Sequence, residues 1–363
     1  MLVLLLGFGL SGLTTFLVIR SARAHAHLFG DVDMTGPQKF HAHPVPRVGG
    51  IGIVLGLAGA LTLLWALRGI EALLGLKLLA CAAPAFFAGL AEDLTKAQSP
   101  RRRLFFTVVS AGLAAWALGA VIARTDIPGL DWLVSFPALA TLATIFAVAG
   151  VANAVNIIDG FNGLAAMCVV MMLGAITYVA FQAQDPVIGL CALAGVGAVM
   201  GFFIWNFPAG LIFLGDGGAY FLGFLVAELS ILLLHRNPNV SPMFPLLMCI
   251  YPIFETLFSM YRRKFIRGRP VGMPDGVHLH SLVYRRLMRW AVGNQTAKAL
   301  TKRNSMTAPY LWLLCMLSVV PAMVFWNNSA VLGVFIVLFG ATYVVLYSRI
   351  VRFKAPDWLI VRR

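Results

Sequence analysis

Glu92, Asp93, Asp159 and Asp216 are the first candidates for chemistry, because the chain has only 14 acidic residues. All four fall at the ends of hydrophobic stretches, inside apolar or glycine-rich sequence. A carboxylate near hydrocarbon is costly, about 2.5 to 3.5 kcal/mol at a helix centre and less near the interface. A cation must offset that cost. Magnesium suits the task, since it takes one or two carboxylates and fills its octahedron with water and substrate phosphate. In NAVNIIDGFNGL (153–164), Asn153, Asn156 and Asp159 lie three apart, near one face of a helix, before Gly160 and Gly163 permit a turn. The plainer reading is that these asparagines cap or link helices. In FLGDGGAY (213–220), Asp216 precedes two glycines at the start of a span, where backbone N–H groups can approach a phosphate. Alone, that aspartate reads equally well as an N-cap.

The segment PDGVHLH (274–280) carries His278 and His280 between basic runs. Two histidines at i and i+2 share a face of a strand but not of a helix, so phosphate contact or acid–base work fits better than zinc. The pairs His25/His27 and His41/His43 read as interfacial loop residues. Glu228 and Glu255 fall inside apolar spans, where an ionisable group is a functional candidate by default, and their partners are not legible. Cys81, Cys168, Cys191, Cys249 and Cys315 also fall inside spans and read as packing residues.

Helices must position these groups. The chain is 60% hydrophobic and 12% charged, with a mean hydropathy of +0.87, against about 25% charge in an ordinary soluble domain. Apolar runs long enough to cross a bilayer recur near 1–20, 48–67, 72–91, 104–122, 133–151, 164–182, 186–205, 218–234, 243–260, 309–326 and 330–348. Backbone groups in lipid must bond internally, so the expected fold is an all-α integral membrane protein of about eleven transmembrane helices. It forms a single polytopic domain over 1–363, with 261–308 as a long basic cytoplasmic loop. No basic segment precedes the first run, and Arg20 and Arg23 follow it, which favours a retained helix with its N-terminus in the periplasm and the C-terminus in the cytoplasm.

Alternate loops divide the positive charge very unevenly. One side holds Arg20, Arg23, Lys39, Arg47, Lys96, Arg101, Arg102 and Arg103, eleven basic residues from Arg262 to Arg303, and five in the tail. The other side holds only Arg68, Arg124 and Arg236. The loops at 21–47, 92–103, 152–163, 206–217 and 261–308 then share the cytoplasmic face, and they contain every motif above. The net charge of +14 follows from this bias and from attraction to anionic headgroups. Nucleic-acid binding is not expected, since no basic globular domain is present.

Five segments carry a resemblance, in this order: KFHAHPVPRVGG (39–50), GLAEDL (89–94), NAVNIIDGFNGL (153–164), NFPAGLIFLGDGGAY (206–220) and RGRPVGMPDGVHLH (267–280). With them the chain resembles the polyprenyl-phosphate N-acetylhexosamine-1-phosphate transferases, glycosyltransferase family 4, the superfamily of MraY and WecA. VPRVGG and PDGVHLH look more like the WecA branch, which starts surface polysaccharides. The resemblance implies a bacterial inner-membrane enzyme whose site faces the cytoplasm. It would move a sugar-1-phosphate from a UDP-N-acetylhexosamine to undecaprenyl phosphate and release UMP. It implies magnesium, with manganese as a substitute, and is compatible with a homodimer.

By the same resemblance Asp216 is a direct metal ligand, while Glu92 and Asp93 handle the lipid phosphate and the metal. Asp159, Asn156, Asn162, Lys39, Asn206 and Phe213 would form the nucleotide pocket, with Phe213 stacking on uracil. His278, His280 and Arg269 would contact the diphosphate or the transferred phosphoryl group. Two departures stand out. Glu92 replaces the first of two usual aspartates, and Gly276 and Ser281 stand where the family shows the arginine of PDR and the last histidine of HLHH. Direct attack by the lipid phosphate is the expected route, with Glu92 or Asp93 accepting any proton, and a two-step route through a phospho-aspartate remains open. The alternatives are a polytopic transporter without chemistry and the phospho-MurNAc-pentapeptide transferases of peptidoglycan synthesis.

Overall fold

The computed structural model describes residues 1–24, 45–268, 270, 276–288 and 296–352, and no β-strand occurs among them. The helices are α1 (Leu2–Ala24), α2 (Gly50–Arg68), α3 (Leu73–Thr95), α4 (Pro100–Leu118), α5 (Leu130–Val134), α6 (Pro137–Ile158) and α7 (Leu164–Gln182). They continue as α8 (Pro186–Asn206), α9 (Gly215–Arg236), α10 (Met243–Met248), α11 (Ile250–Tyr261), α12 (Leu279–Leu282), α13 (Ala297–Val324) and α14 (Ser329–Val351). Each of the apolar runs named above overlaps one of these helices or, for 243–260, a broken pair. By length and composition, 8 stretches among the described residues can cross a membrane, and one of them, Gly50–Thr95, contains both α2 and α3. The protein is a multi-pass, all-α membrane protein.

Local sequence sets several of the helix ends. Ser99, Asp185 and Asn328 each accept a backbone N–H from the first turn of α4, α8 and α14, and Pro100 and Pro186 supply the fixed φ that suits a first helical residue. The run at 243–260 breaks at Cys249, because Pro252 has no N–H to offer the carbonyl of Met248 and its ring crowds that position. The segment 261–308 differs from a plain loop. A π-helical turn (Arg262–Ile266) prolongs α11, a second follows α12, and α13 begins at Ala297.

The centre of the bundle is α9, in which every residue from Gly215 to Leu233 is buried. It packs on α3, α6, α2 and α7, while α1 packs against α2 and α8. Small residues permit this closeness, as is usual between helices in lipid. A Cβ on Gly197 or Gly201 of α8 would come within 2.2 Å of the Leu4 carbonyl oxygen or 2.3 Å of that of Phe8 in α1. By contrast α14 buries only Leu332, Phe339, Tyr343, Tyr347 and Ile350, a single helical stripe facing the bundle. All five cysteines are buried and free, as expected of packing residues.

Candidate active site

A glycine junction seats the N-terminus of α9 against α3. A Cβ on Gly89 would lie 2.5 Å from the Gly217 nitrogen, and one on Gly217 would lie 2.9 Å from the Leu90 nitrogen, so the two backbones touch. Gly215 has φ +77°, and a Cβ there would come within 1.9 Å of the Arg47 carbonyl oxygen. The strand-like segment before α2 locks onto the same place, with Phe213 N–H donating to the Pro46 carbonyl at 2.8 Å and Gly49 N–H to the Phe213 carbonyl at 2.9 Å.

This packing puts Asp93, near the end of α3, directly over the first turn of α9. Its two oxygens accept the backbone N–H groups of Asp216 at 2.8 Å and Gly217 at 2.9 Å. The free amides of a helix N-terminus are natural partners for a carboxylate. Asp216 is buried in that same turn. Its Oδ1 accepts from Asn156 Nδ2 at 3.1 Å, and its Oδ2 is ion-paired with Arg103 of α4. Ends of α3, α4, α6 and α9 therefore meet at one end of the bundle, bringing Asp93, Arg103, Asn156 and Asp216 together.

Asp159 closes α6, and its backbone N–H returns to the Asn156 carbonyl at 3.2 Å. Burial pushes its carboxyl up to about 7, against the opposing pull of Arg47. Arg47 also acts electrostatically on Asp93. The His278 and His280 rings stack with centroids 5.1 Å apart, and a Cβ on Gly160, next to Asp159, would lie 3.2 Å from His280 Nε2. Both histidines thus reach the same end of the bundle.

Other predicted residues are nearby in supporting positions. Glu92 Oε2 accepts the Gln98 N–H at 2.6 Å and closes the α3–α4 turn. The buried Asn206 amide accepts from Gly163 N–H at 2.6 Å and donates to the Ile212 carbonyl at 2.7 Å, tying the turn after α6 to the loop before α9. Asn162 is buried, donates its N–H to Asn304 Oδ1 at 2.9 Å, and has an Oδ1 with no hydrogen-bond partner among the described residues. Phe213 is half-buried beside the α9 N-terminus. Lys39 and Arg269 lie outside the described residues, as do His25, His27, His41 and His43.

Arg47, Arg103 and Asn304 are in the site's surroundings without having been singled out as site residues. Arg103 belongs to a run that reads as topological charge, yet three arginines in the first turn of α4 run against the helix dipole, a signal that one of them has an anionic partner. Glu255, whose partner the sequence does not reveal, bonds His278. Glu228 is buried in α9, and neither of its oxygens has a hydrogen-bond partner among the described residues.

No group of three or more His, Cys, Asp or Glu side chains suited to a metal occurs among the described residues. Magnesium does not need one, since one or two carboxylates suffice alongside substrate phosphates. The hard oxygens of Asp216 fit such an ion, and Oδ2 already draws a cation in the form of Arg103.

Membrane-crossing helices that gather carboxylates, amides and an arginine at one end define a polytopic membrane protein. The sequence profile of glycosyl transferase family 4 matches residues 76–234. A relative from Bacillus subtilis (strain 168), named as a probable undecaprenyl-phosphate N-acetylglucosaminyl 1-phosphate transferase, is 26% identical over 81% of this chain and 80% of its own. A relative from Saccharolobus solfataricus, named for UDP-N-acetylglucosamine–dolichyl-phosphate N-acetylglucosaminephosphotransferase activity, is 28% identical over 76% of this chain and 81% of its own. A phospho-N-acetylmuramoyl-pentapeptide-transferase of Streptococcus pneumoniae is 33% identical over 33% of this chain and 36% of its own. Residues 76–234 thus carry the glycosyl transferase family 4 profile, and over most of its length the chain is similar to polyprenyl-phosphate sugar-phosphate transferases.

Proposed function

We propose that this protein transfers an N-acetylhexosamine 1-phosphate from its UDP-sugar to undecaprenyl phosphate and releases UMP. It works at the cytoplasmic face of a bacterial inner membrane, as the opening step of a surface polysaccharide such as O-antigen. The observation that carries this reading is the meeting of Asp93, Asn156, Asp216 and Arg103 from four helices at one end of an apolar bundle. There a lipid phosphate and a water-soluble nucleotide can both arrive. The two N-acetylglucosamine relatives from Bacillus and Saccharolobus align with most of this chain, which is in keeping with a WecA-like branch.

The difficulty of the reaction is anion meeting anion, with each unit-charge pair repelling by about 4 kcal/mol at 4 Å and an effective dielectric near 20. Arg47 and Arg103 supply fixed positive charge against that repulsion. Asp93 fixes the α9 N-terminus, so that Asp216 and its neighbouring backbone hold one geometry. A lipid phosphate oxygen then bonds to the β-phosphorus as the bond from that phosphorus to the bridging oxygen breaks, and UMP leaves with the electron pair. Catalysis of this kind rests on positioning and charge stabilisation more than on a protein nucleophile. Magnesium held at Asp216, with manganese as a substitute, would supply charge neutralisation on the diphosphate.

The test is UMP release in detergent from a panel of UDP-sugars with undecaprenyl phosphate and magnesium, with the lipid product identified by mass. Failure to release UMP from any UDP-sugar overturns the reading.

A further inference from the structure

We propose that Glu255 is a positioning residue, held by Tyr343 of α14, that fixes the ring of His278 and through it the ring of His280 at the active site. The inference rests on the transferase reading above and concerns residues beyond the family-matched 76–234.

Three partners converge on the buried Glu255 carboxyl. His278 Nδ1 lies 2.9 Å and Leu279 N–H 3.1 Å from Oε1, and Tyr343 O–H donates to Oε2 at 2.7 Å. Each oxygen thus accepts a hydrogen bond, from Leu279 N–H on Oε1 and from Tyr343 O–H on Oε2, the pattern that suits an ionised carboxylate. The proton in the bond to His278 then sits on its Nδ1, so any action of the ring on a substrate runs through Nε2. The outer partner of a working histidine acts in this way, setting the tautomer and the ring plane.

His278 cannot turn without disturbing its neighbour, because the His280 ring stacks on it at 5.1 Å with 13° between the planes. His280 in turn meets the edge of Phe161, at 5.5 Å between ring centres, and abuts Gly160 beside Asp159. The line from Tyr343 to the carboxylate end of the site is therefore continuous. The far anchor is doubled, since Tyr347, one turn along the same stripe of α14, donates to the Val277 carbonyl at 3.2 Å. Arg262 donates to that carbonyl as well, at 2.7 Å. A peripheral helix whose few buried residues include these two tyrosines thus acts as a bracket for the histidine segment.

The experiment uses the full-length protein in detergent. Glu255→Gln keeps the size of the side chain but can present an N–H to His278, which permits the other tautomer. Expected is a fall in kcat of about 10- to 100-fold, the scale set by outer partners of metal-bound histidines, with KM for the UDP-sugar changed less than about threefold. Tyr343→Phe, which removes one hydrogen bond and little else, should lower kcat by a smaller factor in the same pattern. Nitrogen-15 spectra of histidine-labelled protein, with the His278 signal assigned by its loss in His278→Asn, should show Nδ1–H in the unaltered protein and a mixed or reversed tautomer in Glu255→Gln. Unchanged kcat in both variants, or an Nε2–H tautomer of His278 in the unaltered protein, overturns the proposal. The tautomer is read without turnover, so an inactive unaltered protein would count against the transferase reading while the spectra still decided the role of Glu255.

Discussion

Asp93 holds the backbone of Asp216: the carboxylate at the end of α3 grips the first two amides of the helix that carries the other carboxylate. The geometry of Asp216 is therefore set by a residue 123 positions earlier in the chain. The two acids divide their tasks, since Asp93 is engaged by backbone on both oxygens whereas Asp216 faces the Asn156 amide and the Arg103 guanidinium.

Asp93→Asn should consequently harm both the fold and the chemistry. Its amide group can accept at only one atom, leaving either the Asp216 or the Gly217 N–H facing another donor. Hydrogen bonds to charged groups contribute about 1.5 to 3 kcal/mol, so thermal unfolding in detergent should shift by an amount of that order. Turnover should fall at least tenfold with it. An unshifted melting temperature would show that the clamp carries no weight.

Gly215→Ala tests the same junction from the backbone side. The new methyl would meet the Arg47 carbonyl oxygen at 1.9 Å, at a φ of +77° that favours glycine. The expected outcome is a loss of activity of tenfold or more. Gly69→Ala is the control, because its φ of +67° imposes the same kind of strain but nothing lies within 4 Å. That variant should lose roughly 1 to 3 kcal/mol of stability, because φ +67° with ψ −143° is a conformation all but reserved for glycine, and keep its UMP release.

The fold was legible because long apolar runs in lipid have few alternatives to helix, and the alternation of arginines grouped loops whose described residues meet at one end of the bundle. Asp93, Asp159 and Asp216 were legible because acids are rare in such sequence. What stayed hidden was pairing. Arg103 sits among neighbours of identical type, and only the α4–α9 approach selects it over Arg101 and Arg102. Glu255, His278 and Tyr343 are spread over 88 positions, with no local pattern linking them. The break at Cys249 was readable in principle from Pro252, but the surrounding apolar run masked it.

Asp216→Ala should abolish turnover while the protein still inserts, since it removes the oxygen donors expected to hold magnesium. It also leaves Arg103, a half-buried cation, without its carboxylate, at a cost below the roughly 3 to 5 kcal/mol of breaking a fully buried pair. Arg103→Gln combined with Asp216→Asn should recover stability but not activity. Chelation of divalent ions should silence the unaltered enzyme, with recovery on adding magnesium. Full turnover in a chelator would refute the metal assignment.

Asp159 gives the pH dependence a sign. Burial raises its carboxyl from the ordinary 3.8 to about 7, so the native state holds this proton more tightly than the unfolded chain does. Its contribution to stability is complete at low pH and is lost as the pH rises from about 4 toward 7. Activity should run the opposite way if the ionised form serves the site, rising through pH 7 in the unaltered enzyme and losing that limb in Asp159→Asn. A divalent cation bound close by favours the charged form. Raising the magnesium concentration should therefore move the limb to lower pH, and a limb that stays fixed across a magnesium series would place Asp159 beyond the reach of the ion.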